Sequence, residues 1–278
     1  GRLYTDRIHD TAVLIDNKII EEPSFQLRYE GPFIFNSNIK NNIVFKKGTP
    51  RKLRNLNGLV LSLLTGGGGN ENYWHWLFDV LPRLNLCEQT VSLSEIDYFL
   101  LPDDVKKFQS ETLDCLNIPK HKRLSSKKFR HIKAKELIIT DHPVVITGNN
   151  TQDTHNIPAW IIQWTRSVFL KKNTAINKKN KNKIYIDRGE ANNKSQFQRY
   201  ISNEDEVKKY LLKKNFILVK LHEIKFKEQI DLFYNAECIV GLHGAGLSNV
   251  VFCKSGTRVI ELKSTYAGPM YESLAKKN

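Results

Sequence analysis

The sequence contains no long hydrophobic run. No stretch of its 278 residues approaches the roughly 18 to 20 consecutive apolar residues of a membrane-spanning helix. The first ten residues, GRLYTDRIHD, also lack the apolar segment of a secretory signal peptide. We therefore expect the chain as given to be soluble and cytoplasmic.

Cysteine is scarce, and the usual spacings of metal ligands are missing. The cysteines form no Cys-x-x-Cys pair, and they stand at Cys87, Cys115, Cys238 and Cys253. Buried, reduced thiols are the expected state and fit a reducing compartment, with two disulfides as the alternative. The eight histidines are dispersed and no loop carries an Asp-x-Asp motif, so nothing in the sequence requires a metal ion.

Acidic residues are also in short supply. The 43 Lys and Arg residues outnumber the 29 Asp and Glu residues, and the net charge is +14. A charge of this sign favours an anionic partner, such as nucleic acid, an acidic membrane surface or a phosphate-bearing substrate. Part of the excess lies in the run KKNTAINKKNKNK at 171–183, which is typical of a solvated linker.

The composition is that of a globular protein, and the order of its segments predicts an α/β fold. Hydrophobic residues make up 40% of the chain, and its length suits two domains with a core each. After the basic run, strand-like and helix-like segments alternate, which predicts a parallel sheet that binds ligands at the carboxyl ends of its strands. Within this region Asn203 and Glu206 predict a capping box at the start of a helix. We predict a first domain over 1–170, a linker over 171–183 and a second domain over 184–278.

A helix with one polar face follows the four glycines at 66–69. In the stretch NENYWHWLFDVLPR at 70–83, the residues His75, Asp79 and Arg83 are spaced four apart and project from one face. The rest of the circumference is apolar, which predicts a helix that is buried on most sides.

Two flanking residues suggest where this helix begins and ends. We expect Asn70 to be its N-cap, and Pro82 to kink or end it near Leu81.

The polar face has two interpretations: a His–Asp pair that anchors a core helix, or one wall of a ligand site. The glycines favour the second, because they allow backbone to approach a ligand closely.

The stretch CIVGLHGAGLSNVVFCKSGTRVIEL at 238–262 is the most informative. An apolar strand runs into His243-Gly244-Ala245-Gly246, and a short helix follows from about Ser248. Glycines between a strand and a helix let backbone N–H groups close on phosphate oxygens, and the helix dipole favours the negative charge. The alternative is a tight turn in which the glycines serve packing only.

Three charged residues accompany this loop. Glu261 closes the next strand, where a carboxylate can accept hydrogen bonds from ribose hydroxyls. Arg188 ends the first strand of the second domain, and Arg199 lies eleven residues further on. The guanidinium groups of both residues match phosphate oxygens in geometry and charge.

The blocks NYWHWLFDVLPRL, IYIDRGE with RYISNEDEV, and IVGLHGAGLSNVVFCKSGTRVIEL, in this order, resemble glycosyltransferase family 61. That family includes bacterial capsular polysaccharide biosynthesis proteins, plant xylosyl- and arabinofuranosyltransferases and animal O-linked N-acetylglucosaminyltransferases. The resemblance implies an α/β fold of the GT-B type, in which two Rossmann-like domains enclose a cleft. It also implies inverting, metal-independent sugar transfer from a nucleotide donor, with UDP as the donor nucleotide and no cofactor.

Matching the blocks assigns roles to particular residues. The donor diphosphate loop comprises His243, Gly244, Ala245, Gly246 and Leu247. The resemblance also places Arg188 and Arg199 near the phosphates and Glu261 at the ribose. From the family pattern we expect the chain to continue beyond Asn278 with a helix that returns to the first domain.

Inverting transfer needs a base for the acceptor hydroxyl and a group that stabilises the leaving diphosphate. We assign the first task to His75, with Asp79 holding its tautomer, or to Asp79 itself as the alternative base. Without a metal ion, the second task falls to the loop amides and the arginines. Asp79 and His75 would then line a cleft opposite the donor loop.

Two other classes of function stay open. The basic charge and the ten tyrosines would suit a nucleic-acid-binding protein, although that reading leaves the Gly-rich loop and Glu261 unexplained. A catalytically silent glycosyltransferase-like module is the other. We predict a nucleotide-sugar donor and a saccharide or lipid-linked saccharide acceptor as partners, no nucleic acid, and peripheral contact with the anionic inner face of the membrane.

Overall fold

A computed structural model describes residues 1–5, 11–24, 44, 51–64, 72–101, 106–145, 157–172, 182–189, 200–265 and 267–278. The chain divides into two compact units, Gly1–Trp164 and Thr165–Asn278. In the described parts, none of the helices has both the length and the apolar character needed to cross a membrane. The domain limits given above stay a prediction, and most of the basic run at 171–183 lies outside the described residues.

The first unit is built on a mixed sheet of seven strands. Its elements, in chain order, are β1 (Arg2–Thr5), β2 (Thr11–Ile15), β3 (Lys18–Ile20), α1 (Glu21–Ser24), β4 (Arg54–Ser62), α2 (Tyr73–His75), a π-helical turn (Trp76–Val80), α3 (Pro82–Glu88), β5 (Tyr98–Leu101), α4 (Lys107–Cys115), a 3-10 turn (Lys120–Lys122), β6 (Arg123–Ser125), β7 (His131–Ile138) and the start of α5 (Ala159–Lys172).

The strand order of this sheet is β3-β2-β1-β7-β4-β5-β6. Strands β1 to β3 form an antiparallel meander that pairs with β7, whereas β7, β4, β5 and β6 run parallel. The chain moves outward from β4 to β5 and β6, and then returns to β7 on the other side of β4. The strand order therefore reverses between β4 and β7, and open α/β sheets bind ligands at such a switch point.

The helix after β4 departs from the predicted limits at both ends. Its N-cap is Asn72, because the Asn72 Oδ1 accepts from the Trp74 N–H at 2.9 Å, so the assignment to Asn70 was wrong. The helix also continues past Pro82 to Glu88. Proline has no N–H and its ring clashes with the carbonyl four residues earlier. A π-helical turn just before Pro82 widens the helix, and the Leu81 N–H bonds the Trp76 carbonyl at 3.0 Å.

The second unit carries a four-stranded parallel sheet. Its elements are the rest of α5, β8 (Asn182–Ile186), α6 (Glu204–Lys213), β9 (Phe216–Val219), α7 (Phe226–Tyr234), β10 (Ala236–Leu242), a 3-10 helix (Ala245–Phe252), β11 (Arg258–Leu262) and α8 (Met270–Lys277). The order β11-β10-β8-β9 confirms the predicted alternation and the parallel sheet. Here the chain goes from β8 to β9 and returns to β10, so the switch point lies between β8 and β10.

Side chains from α5, α7 and the 3-10 helix form an aromatic core beside this sheet. The rings of Phe169, Phe226 and Phe252 pack edge to face, with centroids 5.0 to 6.2 Å apart. Arg166 of α5 donates to the carbonyls of Val251 and Cys253 at 2.5 and 2.8 Å, which fixes the end of the 3-10 helix. The four cysteines are free thiols, as the sequence predicted.

The predicted capping box at the start of α6 was wrong in its bonds. Asn203 is the N-cap, but its side chain makes no capping hydrogen bond to a backbone N–H. Its Nδ2 instead donates to the Glu206 Oε2 at 3.3 Å. The three acidic residues of the first turn still interact favourably with the positive end of the helix dipole.

Candidate functional site

The polar face of the helix after β4 contains a bonded His–Asp pair. The Nδ1 of His75 lies 2.6 Å from the Oδ2 of Asp79, one turn further along. The Asp79 side chain is 12% exposed and the His75 side chain 28%, so the imidazole is reachable while the carboxylate is largely covered. With Nδ1 engaged by the carboxylate, Nε2 is the ring nitrogen left for exchanging a proton with a ligand.

Burial and charge act in opposite directions on this pair. Burial lowers the pKa of His75, but the hydrogen bond to Asp79 and its negative charge outweigh that effect, so the pKa is raised. Burial likewise raises the pKa of Asp79, but the bond and charge of His75 and the charges of His142 and Arg83 leave it lowered. Asp79 therefore stays ionised while His75 titrates.

Arg83 joins the helix to the segment that follows β7. Its Nε donates to the Asp79 carbonyl at 3.0 Å, and its Nη1 donates to the Thr140 carbonyl at 3.2 Å. Burial of the guanidinium lowers the pKa of Arg83 to about 10, against the opposing charges of Asp79 and Asp141. The predicted polar face of the helix thus lies beside the switch point between β4 and β7.

His142 belongs to the same neighbourhood, and sequence reasoning missed it. It follows Thr140 by two residues, and its Nδ1 lies 2.9 Å from the Val144 carbonyl. Burial lowers the pKa of His142, so the imidazole is mostly neutral at physiological pH. Its position just after the carboxyl end of a parallel strand is the signal that could have identified it.

In the second unit, Arg188 lies against the predicted phosphate loop. A methyl group placed on Gly244 would be 3.6 Å from the guanidinium carbon of Arg188. Arg188 follows β8 and Gly244 follows β10, which are the two strands that flank the switch point. The geometry thus brings together a guanidinium and a glycine backbone that the sequence places 56 residues apart. Arg199 lies outside the described residues.

The two glycines of the loop serve different purposes. Gly244 has extended backbone, with φ 166° and ψ 168°, and a Cβ there would meet Arg188 at an ordinary contact distance of 3.6 Å. Its lack of a side chain therefore leaves the backbone open beside the guanidinium. A Cβ on Gly246 would be 2.9 Å from the Leu221 Cδ1, so this glycine serves packing. The helix is a 3-10 helix that begins at Ala245, three residues before the predicted start, and the Leu247 N–H donates to the Gly244 carbonyl at 2.9 Å.

His243 and Glu261 form a second histidine–carboxylate pair. The His243 Nδ1 lies 2.5 Å from the Glu261 Oε1, and the ring packs edge to face on Tyr271 at 5.1 Å. Both side chains are at most 10% exposed. The sequence analysis assigns the two residues separate roles, at the diphosphate and at the ribose, and does not predict their pairing. Those two roles stay predictions.

Asp187 fixes the turn that presents Arg188, and this residue was also missed. Its Oδ1 accepts from the Gly189 N–H at 2.8 Å and from the Lys208 Nζ at 2.9 Å. Gly189 has φ +56°, a left-handed conformation that suits glycine. Burial raises the pKa of Asp187, but the bonds from Lys208 and Gly189 and the charges of Lys208 and Lys220 leave it lowered. The carboxylate is therefore a charged anchor for this turn.

A buried amide pair supports the Gly-rich loop. The Asn249 Nδ2 donates to the Gln229 Oε1 at 2.9 Å and to the Gly246 carbonyl at 3.3 Å. The Gln229 Nε2 in turn donates to the Leu221 carbonyl at 2.9 Å. Within the described part of the chain, no group of three or more His, Cys, Asp or Glu side chains could hold a metal ion.

Each unit thus presents polar side chains at a switch point between parallel strands, and the second unit sets a guanidinium against a Gly-rich loop. These features define an α/β protein with the architecture of nucleotide-binding proteins. The sequence model of the glycosyltransferase 61 family matches residues 73–260, about two thirds of the chain, and the chain belongs to that family. Comparison with curated proteins returned no match.

Membership of the family makes the chain a glycosyltransferase, which acts on a donor and an acceptor. The matched region begins at Tyr73, the first residue of α2, and reaches the middle of β11. It therefore includes both the His75–Asp79 pair and the loop that faces Arg188. Glu261 is the first residue beyond its end.

Proposed function

We propose that this glycosyltransferase transfers a sugar from a nucleotide-sugar, with UDP as the nucleotide, to a hydroxyl group of a saccharide or glycoconjugate acceptor. The observation that supports the proposal best is the placement of the Arg188 guanidinium beside Gly244 at the switch point of the second sheet. A guanidinium and unhindered backbone amides suit the oxygens of a diphosphate.

In this proposal the second unit holds the donor. Arg188 and the loop from His243 to Leu247 contact the diphosphate, together with Arg199, and Glu261 contacts the ribose. The pairing of Glu261 with His243 leaves its second carboxylate oxygen for a hydroxyl group, near the Lys263 Nζ at 3.8 Å. The cationic groups of the protein take over the charge of the leaving diphosphate, so we propose transfer that is independent of a metal ion.

The first unit supplies the base in an inverting displacement. Neutral His75 takes the proton of the acceptor hydroxyl at Nε2, while Asp79 stabilises the imidazolium that forms. The acceptor oxygen forms a bond to the anomeric carbon as the bond from that carbon to the diphosphate oxygen breaks. The nucleoside diphosphate leaves with the electron pair, and the anomeric configuration inverts.

This mechanism requires the two units to face each other across a cleft, and we propose the GT-B arrangement for them. The enzyme would then be a hexosyl- or pentosyltransferase. A role in capsular or surface polysaccharide synthesis, in the cytoplasm, is the biological setting that we propose.

A thermal-shift titration with nucleotides, with and without EDTA, tests the donor site. A ligand at about a hundred times its Kd stabilises the folded state by about 2.7 kcal/mol. For a chain of this size that corresponds to a rise in Tm of about 5–10 °C. We expect UDP to produce the shift in EDTA, and Arg188→Gln to remove most of it.

Arg258→Gln is the matched control, since Arg258 is an exposed arginine at the amino end of β11, on the opposite edge of the same sheet. Equal loss in both variants, or no shift with any nucleotide, would contradict the donor site. Binding without sugar transfer to any acceptor would instead indicate a silent module. NMR of the product's anomeric proton decides between inversion and retention.

A further inference from the structure

Two segments of the first unit form a strongly basic surface that the transfer reaction does not use. Residues 51–54 (RKLR) and 127–133 (KKFRHIK) contain seven Lys and Arg residues among eleven, three in the first segment and four in the second. Neither segment contains Asp or Glu. We call this surface the basic edge.

Direct contacts hold the two segments together. The His131 Nδ1 lies 3.2 Å from the Arg51 carbonyl, and the guanidinium of Arg54 lies 5.3 Å from the centre of the Phe129 ring. In the parallel pair of β4 and β7, Arg54 stands opposite Ile132. The cations of the basic edge therefore belong to one surface, although the 72 residues from 55 to 126 separate the two segments in the sequence.

The charged groups of the basic edge are solvent-accessible. Arg51, Lys52, Arg54, Lys128 and Lys133 are all exposed. In the antiparallel pair of β1 and β7, Lys133 also stands opposite Arg2, a like-charge pairing that disfavours the fold. Cations gathered within about one Debye length, ~8–10 Å, repel one another, and a bound anionic surface relieves that repulsion.

The basic edge lies away from the candidate site. It comprises the amino ends of β4 and β7, whereas His75 follows the carboxyl end of β4 and Thr140 follows the carboxyl end of β7. Because these two strands are parallel, the site and the basic edge occupy opposite edges of the sheet. A partner bound at the basic edge leaves the switch point of this unit open.

We propose that the basic edge docks the protein on a membrane surface of anionic phospholipid. Strand ends and a turn present its charges, without a recognition helix for a nucleic-acid groove. Its one aromatic ring, Phe129, is half-buried beneath Arg54 and does not form a stacking platform for bases. Leu53 is 38% exposed between Lys52 and Arg54, which suits contact with the interface of a bilayer.

Vesicle co-sedimentation of the full chain tests the proposal. Phosphatidylcholine vesicles that contain about one third phosphatidylglycerol are compared with pure phosphatidylcholine vesicles. The salt concentration is about 0.1 M, at which surface charges still act over ~10 Å. Each cation near an anionic surface contributes about a fivefold gain in partitioning. We therefore expect Lys52→Gln/Lys128→Gln to bind the anionic vesicles about thirtyfold more weakly than the wild type.

The matched control is Lys209→Gln/Lys213→Gln, which removes the same charge from two exposed lysines of α6. It should bind like the wild type, and both variants should keep the wild-type Tm. Equal loss in the two variants would mean that only net charge matters and would overturn the proposal. Equal binding to both vesicle types, or binding to DNA without binding to anionic vesicles, would overturn it as well. These outcomes are independent of nucleotide binding.

Discussion

Asp187 offers a sharp test of how the turn after β8 serves the proposed donor site. The Asp187→Ala substitution removes the acceptor of the Gly189 N–H and the ion-pair partner of Lys208, which now lie 2.8 and 2.9 Å from the same carboxylate oxygen. The Asp187 side chain is only 10% exposed, so water replaces these bonds poorly. Hydrogen bonds that involve a charged group contribute about 1.5–3 kcal/mol each.

We expect Asp187→Ala to lose about 2 kcal/mol of unfolding free energy, since the Glu204 carboxylate, 3.5 Å from Lys208, retains part of the ion pairing. For a chain of this size the Tm should fall by about 4–8 °C. The effect on donor binding is separate, because a turn that lacks the Asp187 anchor must be ordered when the ligand binds. Ordering one backbone residue costs about 1–2 kcal/mol, which weakens the Kd for UDP about 5- to 30-fold.

Two further variants separate positioning from stability. Lys208→Gln breaks the ion pair but leaves the bond from the Gly189 N–H to Asp187, so stability should fall while the Kd for UDP stays near the wild-type value. Asp187→Asn keeps an oxygen that accepts from Gly189, and should restore most of the affinity. Calorimetric titration measures the Kd, and thermal unfolding measures the stability. A folded Asp187→Ala variant with wild-type affinity would refute the reasoning.

Three more predictions concern the proposed catalytic pair and the Gly-rich loop. His75→Ala should lower the transfer rate by about 100-fold or more and leave the Kd for donor unchanged, because a general base acts only on the chemical step; substantial turnover would contradict its role. Asp79→Asn should shift the acid limb of the pH–rate profile to lower pH, since Asp79 raises the pKa of His75; an unmoved limb would count against the pair. Gly244→Ala should keep the Tm within about 2 °C, because its methyl group meets Arg188 and the Leu242 carbonyl at ordinary contact distances. It should weaken donor binding, because that methyl group takes up space beside the guanidinium where we propose that the diphosphate binds.

The second unit shows how far periodicity alone can go. Strand-like segments such as KIYIDR and TRVIEL, separated by helical segments, were sufficient to predict a parallel sheet, and the sheet order confirms it. The order itself, with its reversal between β8 and β10, could not be predicted, because no local pattern determines which side of β8 the next strand joins. That reversal is what brings Arg188 to Gly244.

In the first unit, one missed signal was present in the sequence. Strand β7 begins at His131, and in HIKAK the buried Ile132 and Ala134 alternate with the exposed Lys133 and Lys135. This is the period of a strand with one solvent-facing side. The π-helical turn was less accessible, because it depends on how the surrounding apolar helix accommodates Pro82 rather than on residue spacing.

Some contacts of the candidate site could be predicted from the sequence and others could not. The His75–Asp79 bond follows from helical spacing and was predictable, whereas the anchor of Asp187 on Lys208 joins a strand end to a helix 21 residues later. The pair of His243 and Glu261 depends on the register of β10 against β11, which places Gly241 opposite Glu261. Tertiary register, and not local chemistry, decides which carboxylate meets which cation.

The two histidine–carboxylate pairs have the same arrangement: His75 and His243 each turn Nδ1 toward a carboxylate that is largely covered. This fixes the ring orientation and leaves Nε2 as the reactive nitrogen in both. Their surroundings differ, because the His75 side chain is 28% exposed and that of His243 only 7%. An accessible imidazole suits proton exchange with an arriving acceptor, whereas a covered one suits a hydrogen bond to a bound group. The same pair can therefore serve as a base in one unit and as a fixed donor in the other.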